Sequence, residues 1–158
     1  MMAGNNAISV EVTPETEYLK ANYILNLLPI AVYTCDKDGK IIFFNEIATK
    51  LWGYTPNIND EYLKFCACYK VWRNGICISP EQTTMAIALQ TGKSFRNVEA
   101  MVERPNGSVF YASINVDPIL DENKNIVGAI NAFQDITDKK IAEKKLEENE
   151  RQYRELAA

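Results

Sequence analysis

Beyond Phe95 the chain alternates apolar and polar residues with a period of two, as strands with two distinct faces do. Over residues 95–104, Val98, Ala100 and Val102 oppose Glu99, Met101 and Glu103. Over 108–116, Ala112, Ile114 and Val116 share one face; over 126–136, Val127, Ala129, Asn131 and Phe133 share one. The opposite face of that last strand, Gly128, Ile130 and Ala132, is apolar too, so its sheet needs a cover on each side. Pro105-Asn106-Gly107 joins the first two strands as a hairpin, and a turn around Asp121-Glu122-Asn123 leads to the third. Two earlier strands, 30–36 and 40–45, flank Asp36-Lys37-Asp38-Gly39, a turn with glycine in its last place.

Helical punctuation fills the remainder. Residues 1–12 are small and polar without period and read as a flexible lead. Thr13-Pro14-Glu15 combines a hydroxyl cap, proline at the first helical position and an acid at the positive end of the dipole. Tyr18, Leu19, Ile24, Leu25 and Leu28 give that helix an apolar face, and Pro29 stops it. Residues 45–54 predict a short helix ending at Gly53, and 80–90 a helix between Pro80 and Gly92. The stretch 56–72 reads as short helical pieces, followed by a turn at Arg73-Asn74-Gly75. Strands, then helices, then strands predict an α+β fold: one antiparallel sheet with the middle helices on one face. The N-terminal helix or a partner subunit would cover the other.

The runs LLPIAVYTCDKDGKIIFFNEIATKLWGY and MAIALQTGKSFRNVEAMVERPNGSVFYASINVDPILDENKNIVGAINAFQDITDKK, in this order and spacing, resemble a PAS domain, the sensory module of bacterial signalling proteins. The resemblance implies a five-stranded sheet of order 2-1-5-4-3, with helices enclosing a small pocket on one face. It divides the chain into a lead and flanking helix (1–22), a sensor domain (23–137) and a C-terminal signalling helix (138–158). Asp135 and Thr137 of the DIT motif would join sheet to output helix; their local role is to cap that helix. Light-sensing flavin members carry an Asn-Cys-Arg-Phe-Leu-Gln type motif, which FCACYKVW does not match. Haem members usually ligate iron through histidine, and this chain has none. Both observations argue against a flavin adduct or a histidine-ligated haem and leave the cofactor unknown.

Composition narrows the chemistry. With no histidine, a Ser–His or Cys–His nucleophile and a phospho-accepting histidine are excluded within the chain. A net charge of −4 and no basic block argue against nucleic acid or an anionic membrane surface as partner. No apolar run approaches the roughly 20 residues of a membrane span, and no secretory signal opens the chain, so a cytoplasmic location with reduced cysteines is expected. Cys66, Cys68 and Cys77 are weak metal or redox candidates; Cys-Ala-Cys is tighter than usual zinc spacing, and buried structural cysteine is the simpler expectation.

Strand faces nominate pocket residues: Tyr33 and Cys35, Ala112 and Ile114, Asn131 and Phe133, with Met85 and Leu89 one turn apart on the covering helix. A filled core explains most of these. Asn131 stands apart, because an inward amide left unpaired costs about 1–3 kcal/mol; its partner is a ligand, water or backbone. After Thr137 the chain turns almost wholly polar, yet Ala142, Leu146, Asn149, Tyr153 and Leu156 recur at heptad spacing among charges of both signs. The seam fits a dimeric coiled coil; a solvated helix is the plain alternative. ERQYREL near the end echoes ETEYLKA near the start, which points either to a second similar domain further on or to chance similarity between charged helices.

The expected function is therefore a non-enzymatic sensing and dimerisation module of a multidomain signalling protein such as a sensor histidine kinase. It would form a homodimer, take a small molecule or partner, and act on a linked output domain. A ligand-free dimerisation spacer is the alternative; a cysteine-based redox or metal sensor stands below it, and a small enzyme using the pocket, with Asp or Tyr as acid–base, ranks last.

Overall fold

A computed structural model of the chain describes residues 13–157. The elements run α1 (Pro14–Leu27), β1 (Ala31–Asp36), β2 (Ile41–Phe44), α2 (Glu46–Trp52), β3 (Lys70–Arg73), β4 (Ile76–Ile78), α3 (Thr84–Thr91), β5 (Phe95–Glu103), β6 (Val109–Leu120), β7 (Ile126–Asp135) and α4 (Thr137–Ala157). The expected lead over 1–12 lies outside the described residues, as does the side chain of Tyr18.

One antiparallel sheet orders these strands β2-β1-β7-β6-β5-β3-β4. The expected five strands form its first part, but the sheet has seven strands and a longer order than the resemblance implied. The addition is the hairpin β3–β4: its first strand overlaps the end of the stretch expected to be helical, and its turn falls at Arg73-Asn74-Gly75, where a turn was expected. Asn74 and Gly75 both have positive φ, 52° and 76°, which is what a two-residue hairpin turn requires. Between α2 and β3 the chain makes turns and one bridge, Lys40 to Lys64.

Local chemistry accounts for the other boundaries. Asn45 caps α2 through its side chain, and Gly53 closes it in the left-handed conformation. Residues 80–90 are not one helix: Pro80–Gln82 form a 3₁₀ turn, and the Thr83 hydroxyl, accepting from the Ala86 amide at 3.4 Å, restarts the backbone as α3.

Helices α2 and α3 cover the inner face of the sheet. Their core joins Trp52, Met85 and Ala88 to Tyr33, Phe110 and Phe133, all buried. Trp52 stacks on Phe133 with ring centres 5.8 Å apart and meets Tyr33 edge-on at 5.4 Å. Burying each large side chain contributes roughly 1.5–3 kcal/mol. The outer face lacks the helical cover expected of α1. Leu19, Ile24 and Leu28 on that helix are exposed, and Leu25 is half-buried. Its end is moored instead by the Asn45 amide, which donates to the Leu25 and Ile30 carbonyls at 3.1 and 2.7 Å.

Candidate functional site: an inner cavity and the root of the last helix

Strand parity places Val71, Arg73, Val102, Ala112, Ile114, Asn131 and Phe133 on the inner face, below α3. Between them lies a cavity of about 30 Å³. It is closed from above by Trp52, Thr83, Thr84 and Met85, and at the side by Cys66, Cys68 and Ile78. One water needs about 10–15 Å³ by the same measure, so the space admits a water or two as it stands.

The wall is mainly apolar, with polar groups that the protein leaves unpaired. The Tyr33 hydroxyl donates to the Phe65 carbonyl at 2.8 Å, with the Asn131 side chain beside it. The Asn131 Oδ1 is buried without a partner, on a residue only 5% exposed. The indole Nε1 of Trp52 and the Nε of Arg73 are likewise buried and unpaired. Arg73 spends one Nη2 bond on the Thr84 hydroxyl, at 3.0 Å. Burial, with Cys35 nearby, pushes the Tyr33 phenol far up, against a smaller pull from Asn131. Tyr33 is therefore a neutral hydrogen-bonding post and not an acid–base group at neutral pH.

Six of the eight expected pocket residues line the cavity: Tyr33, Met85, Ala112, Ile114, Asn131 and Phe133. The other two do not. Cys35 is fully buried in the core beside β2, and Leu89 packs on the core one turn beyond Met85. Trp52, Arg73 and Thr84 were not expected. The Asn-Gly turn after Arg73 was the available signal, because a hairpin there puts Arg73 on the same face as Val71.

The cysteines differ from expectation. Cys66 and Cys68 form a disulfide whose Cα atoms are 5.3 Å apart, within bridging range, because the chain between them is irregular and follows a left-handed Phe65. Both are half-buried, Cys77 is exposed, and Cys35 alone is free and buried. Among the described residues no three metal-ligating side chains cluster, so Cys66, Cys68 and Cys77 do not converge on one point.

On the opposite face of β6 the last helix takes root. The Tyr111 amide donates to the Thr137 hydroxyl at 3.0 Å, and the Ile136 amide donates back to the Tyr111 carbonyl at 2.8 Å. The Asp135 carboxylate accepts from the Thr137 amide at 2.9 Å and from its hydroxyl. Two lysines extend the hold. Lys140 pairs with Glu99 at 2.8 Å, and Lys144 reaches the Tyr111 hydroxyl at 3.2 Å while lying over its ring. The Glu99 hydrogen bond raises the Lys140 pKa. From Ile141 to Ala157 every residue of α4 is exposed, including Ala142, Leu146, Asn149, Tyr153 and Leu156 of the expected seam.

The sequence profile of the PAS domain matches residues 29–138, well over half of the chain. This chain belongs to the PAS family. PAS domains are sensory domains, and the cavity and the root of α4 lie within the matched region. Solved structures share the fold at low identity. An RNA-binding light-oxygen-voltage receptor superposes with a TM-score of 0.63 at 14% identity, over 99% of this chain and 43% of that one. The VqmA dimer of Vibrio cholerae gives 0.56 at 20% identity, over 82% and 53%. The PAS domain of an HTR-like protein from Haloarcula marismortui gives 0.51 at 17% identity, over 77% and 93%. The chain thus spans under half the length of the RNA-binding receptor it resembles. No curated protein matches it in sequence. No helix among the described residues is long and apolar enough to cross a membrane.

Proposed function

We propose that this PAS domain is the sensing and dimerisation module of a multidomain bacterial signalling protein of the sensor histidine kinase type, located in the cytoplasm. The carrying observation is the double use of β6. Ala112 and Ile114 line the cavity, while Tyr111 between Ala112 and Phe110 holds Thr137 at the root of α4. Binding that shifts β6 from inside would bias the docking of α4, and the output domain would respond to that bias. The exposed heptad seam of α4 supports dimerisation through a coiled coil, and the VqmA relative is described as a dimer. The module itself has no catalytic role in this reading: the chain has no histidine, and no carboxylate lines the cavity.

A second reading, a ligand-free dimerisation spacer, is favoured by the cavity volume of about 30 Å³, too small for an organic ligand without movement of its wall. Native mass spectrometry of the gently purified protein separates the two. A dimer carrying a small-molecule mass is the expected result. A dimer without any bound mass, from every expression medium tried, would favour the spacer, and a monomer at all concentrations would overturn both.

A further inference from the structure

Arg73 and the start of α3 make an unusual electrostatic pair. The guanidinium donates to the hydroxyl of Thr84, the first residue of α3, and so sits at the positive end of that helix dipole. A cation is unfavourable there; the position calls for an anion. Among the described residues no carboxylate forms a salt bridge with Arg73; those paired with cations, Glu46, Glu99, Glu103 and Asp117, have other partners. The Nε of Arg73 is buried and unpaired, although the Nε–Nη edge of a guanidinium is the one that grips a carboxylate through two hydrogen bonds. Arg104 shows the contrast: its Nε donates to the Leu51 carbonyl at 2.7 Å and its plane lies over Phe110.

The far wall of the same cavity presents the opposite need. The Asn131 Oδ1 is an acceptor without a donor, and it is nine-tenths buried. Arg73 on β3 and Asn131 on β7 are three strand spacings apart, about 14 Å along the backbone, and the long arginine side chain shortens that gap. Met85, Val102 and Ile114 fill the space between with apolar surface.

Resting on the sensory function proposed above, we infer that the ligand is a small organic acid with an apolar body. Its carboxylate seats against Arg73 and the amino end of α3. Its body lies between Met85 and the strands, and a hydroxyl or N–H at its other end donates to Asn131. Room for it comes from the edge of the sheet. The hairpin β3–β4 carries Arg73 and Ile78 and pairs with the rest of the sheet only through the short register of β3 on β5. Outward movement of that edge opens the cavity, and the ligand's body then bears on Ala112 and Ile114 of β6.

Matched pairs of acids and their primary amides test this by titration calorimetry on the intact chain: para-hydroxybenzoate, phenylacetate and isovalerate, each against its amide. A charge-assisted bond in place of a neutral one predicts the acids about tenfold to a hundredfold tighter. Arg73→Met should remove that preference, and Arg73→Lys should keep part of it. Asn131→Ala should weaken para-hydroxybenzoate more than phenylacetate, which has no donor at its far end. Equal binding of acids and amides, or an unchanged preference in Arg73→Met, overturns the inference. The wild-type comparison stands even if a variant fails to fold. Binding of amides without acids would end the acid proposal and leave the sensor reading intact. If no acid or amide binds and no small mass co-purifies, both fall.

Discussion

The Thr137 hydroxyl accepts the backbone amide of Tyr111 at 3.0 Å, so the first residue of α4 is bonded to the middle strand of the cavity floor. Thr137→Val keeps the shape and leaves that amide unpaired. It should cost about 1–2 kcal/mol in urea denaturation. Asp135→Ala, which removes the acceptor for the Thr137 amide, should cost about 1 kcal/mol. In the multidomain protein proposed above, either change should reduce the response to stimulus while the PAS domain stays folded. Normal signal gain in Asp135→Ala would sink the coupling role of this junction.

Asn45 is a larger structural liability. Its Oδ1 accepts the Val32 and Ala48 amides at 3.0 Å each, and its Nδ2 donates to the carbonyls of Leu25 in the last turn of α1 and Ile30 just before β1. Asn45→Ala leaves several buried groups unpaired and should destabilise the domain by about 3 kcal/mol or more. Hydrogen exchange should show the end of α1 freed from its mooring before the sheet opens. A variant as stable as the parent would show that water replaces the side chain without loss.

Two glycines should respond differently to alanine. A Cβ on Gly128 would strike the carbonyl oxygen of Cys35 on the neighbouring strand, where only backbone movement can relieve it. Gly128→Ala should therefore lose more than about 2 kcal/mol and loosen β1 from β7. Gly107, with φ of 86°, has open space around it. Gly107→Ala bears only the left-handed backbone penalty, about 1 kcal/mol. Thermal melts of the two variants give the comparison; equal losses would contradict it.

Burial, aided by Asp36, pushes the Cys35 thiol from its ordinary value near 9 up to about 12. A raised folded-state pKa means that this group's contribution is complete below pH 9 and is lost as pH climbs through that interval. Stability should fall above pH 9, and Cys35→Ala should flatten the fall relative to the parent. Near neutral pH, iodoacetamide should label the exposed Cys77 and spare Cys35 until the protein unfolds, as peptide mass mapping would show. Equal labelling of both in the native state would refute the buried placement.

The parts of this fold that alternation reaches are its long strands. Ala112, Ile114, Asn131 and Phe133 are recognisable because each shares a face with other apolar residues two positions away, and all four do line the cavity. The hairpin β3–β4 escapes that logic. Its strands are only four and three residues long, and an arginine occupies an inward position where the pattern expects an apolar group. Arg73 looks like a turn residue until Val71 is paired with Val102, a contact 31 positions away in the chain. Trp52 is similar: its helix is legible, but its stacking on Phe133 depends on how that helix crosses the sheet. On α1 the failure is opposite. Leu19 and Ile24 promise burial by spacing, and among the described residues they stay exposed.

β6 runs for 12 residues, and its neighbouring positions serve different masters. Ala112 faces the cavity, and Tyr111, one peptide bond away, holds the root of α4. In the sensor proposed above, taste and voice are written on the same short ribbon, so they would not be inherited separately. A chimaera that transplants the cavity from a relative should bring the whole strand and its Tyr111–Thr137 joint with it. One that exchanges only the lining residues would give a domain that tastes the new compound and has lost the means to say so.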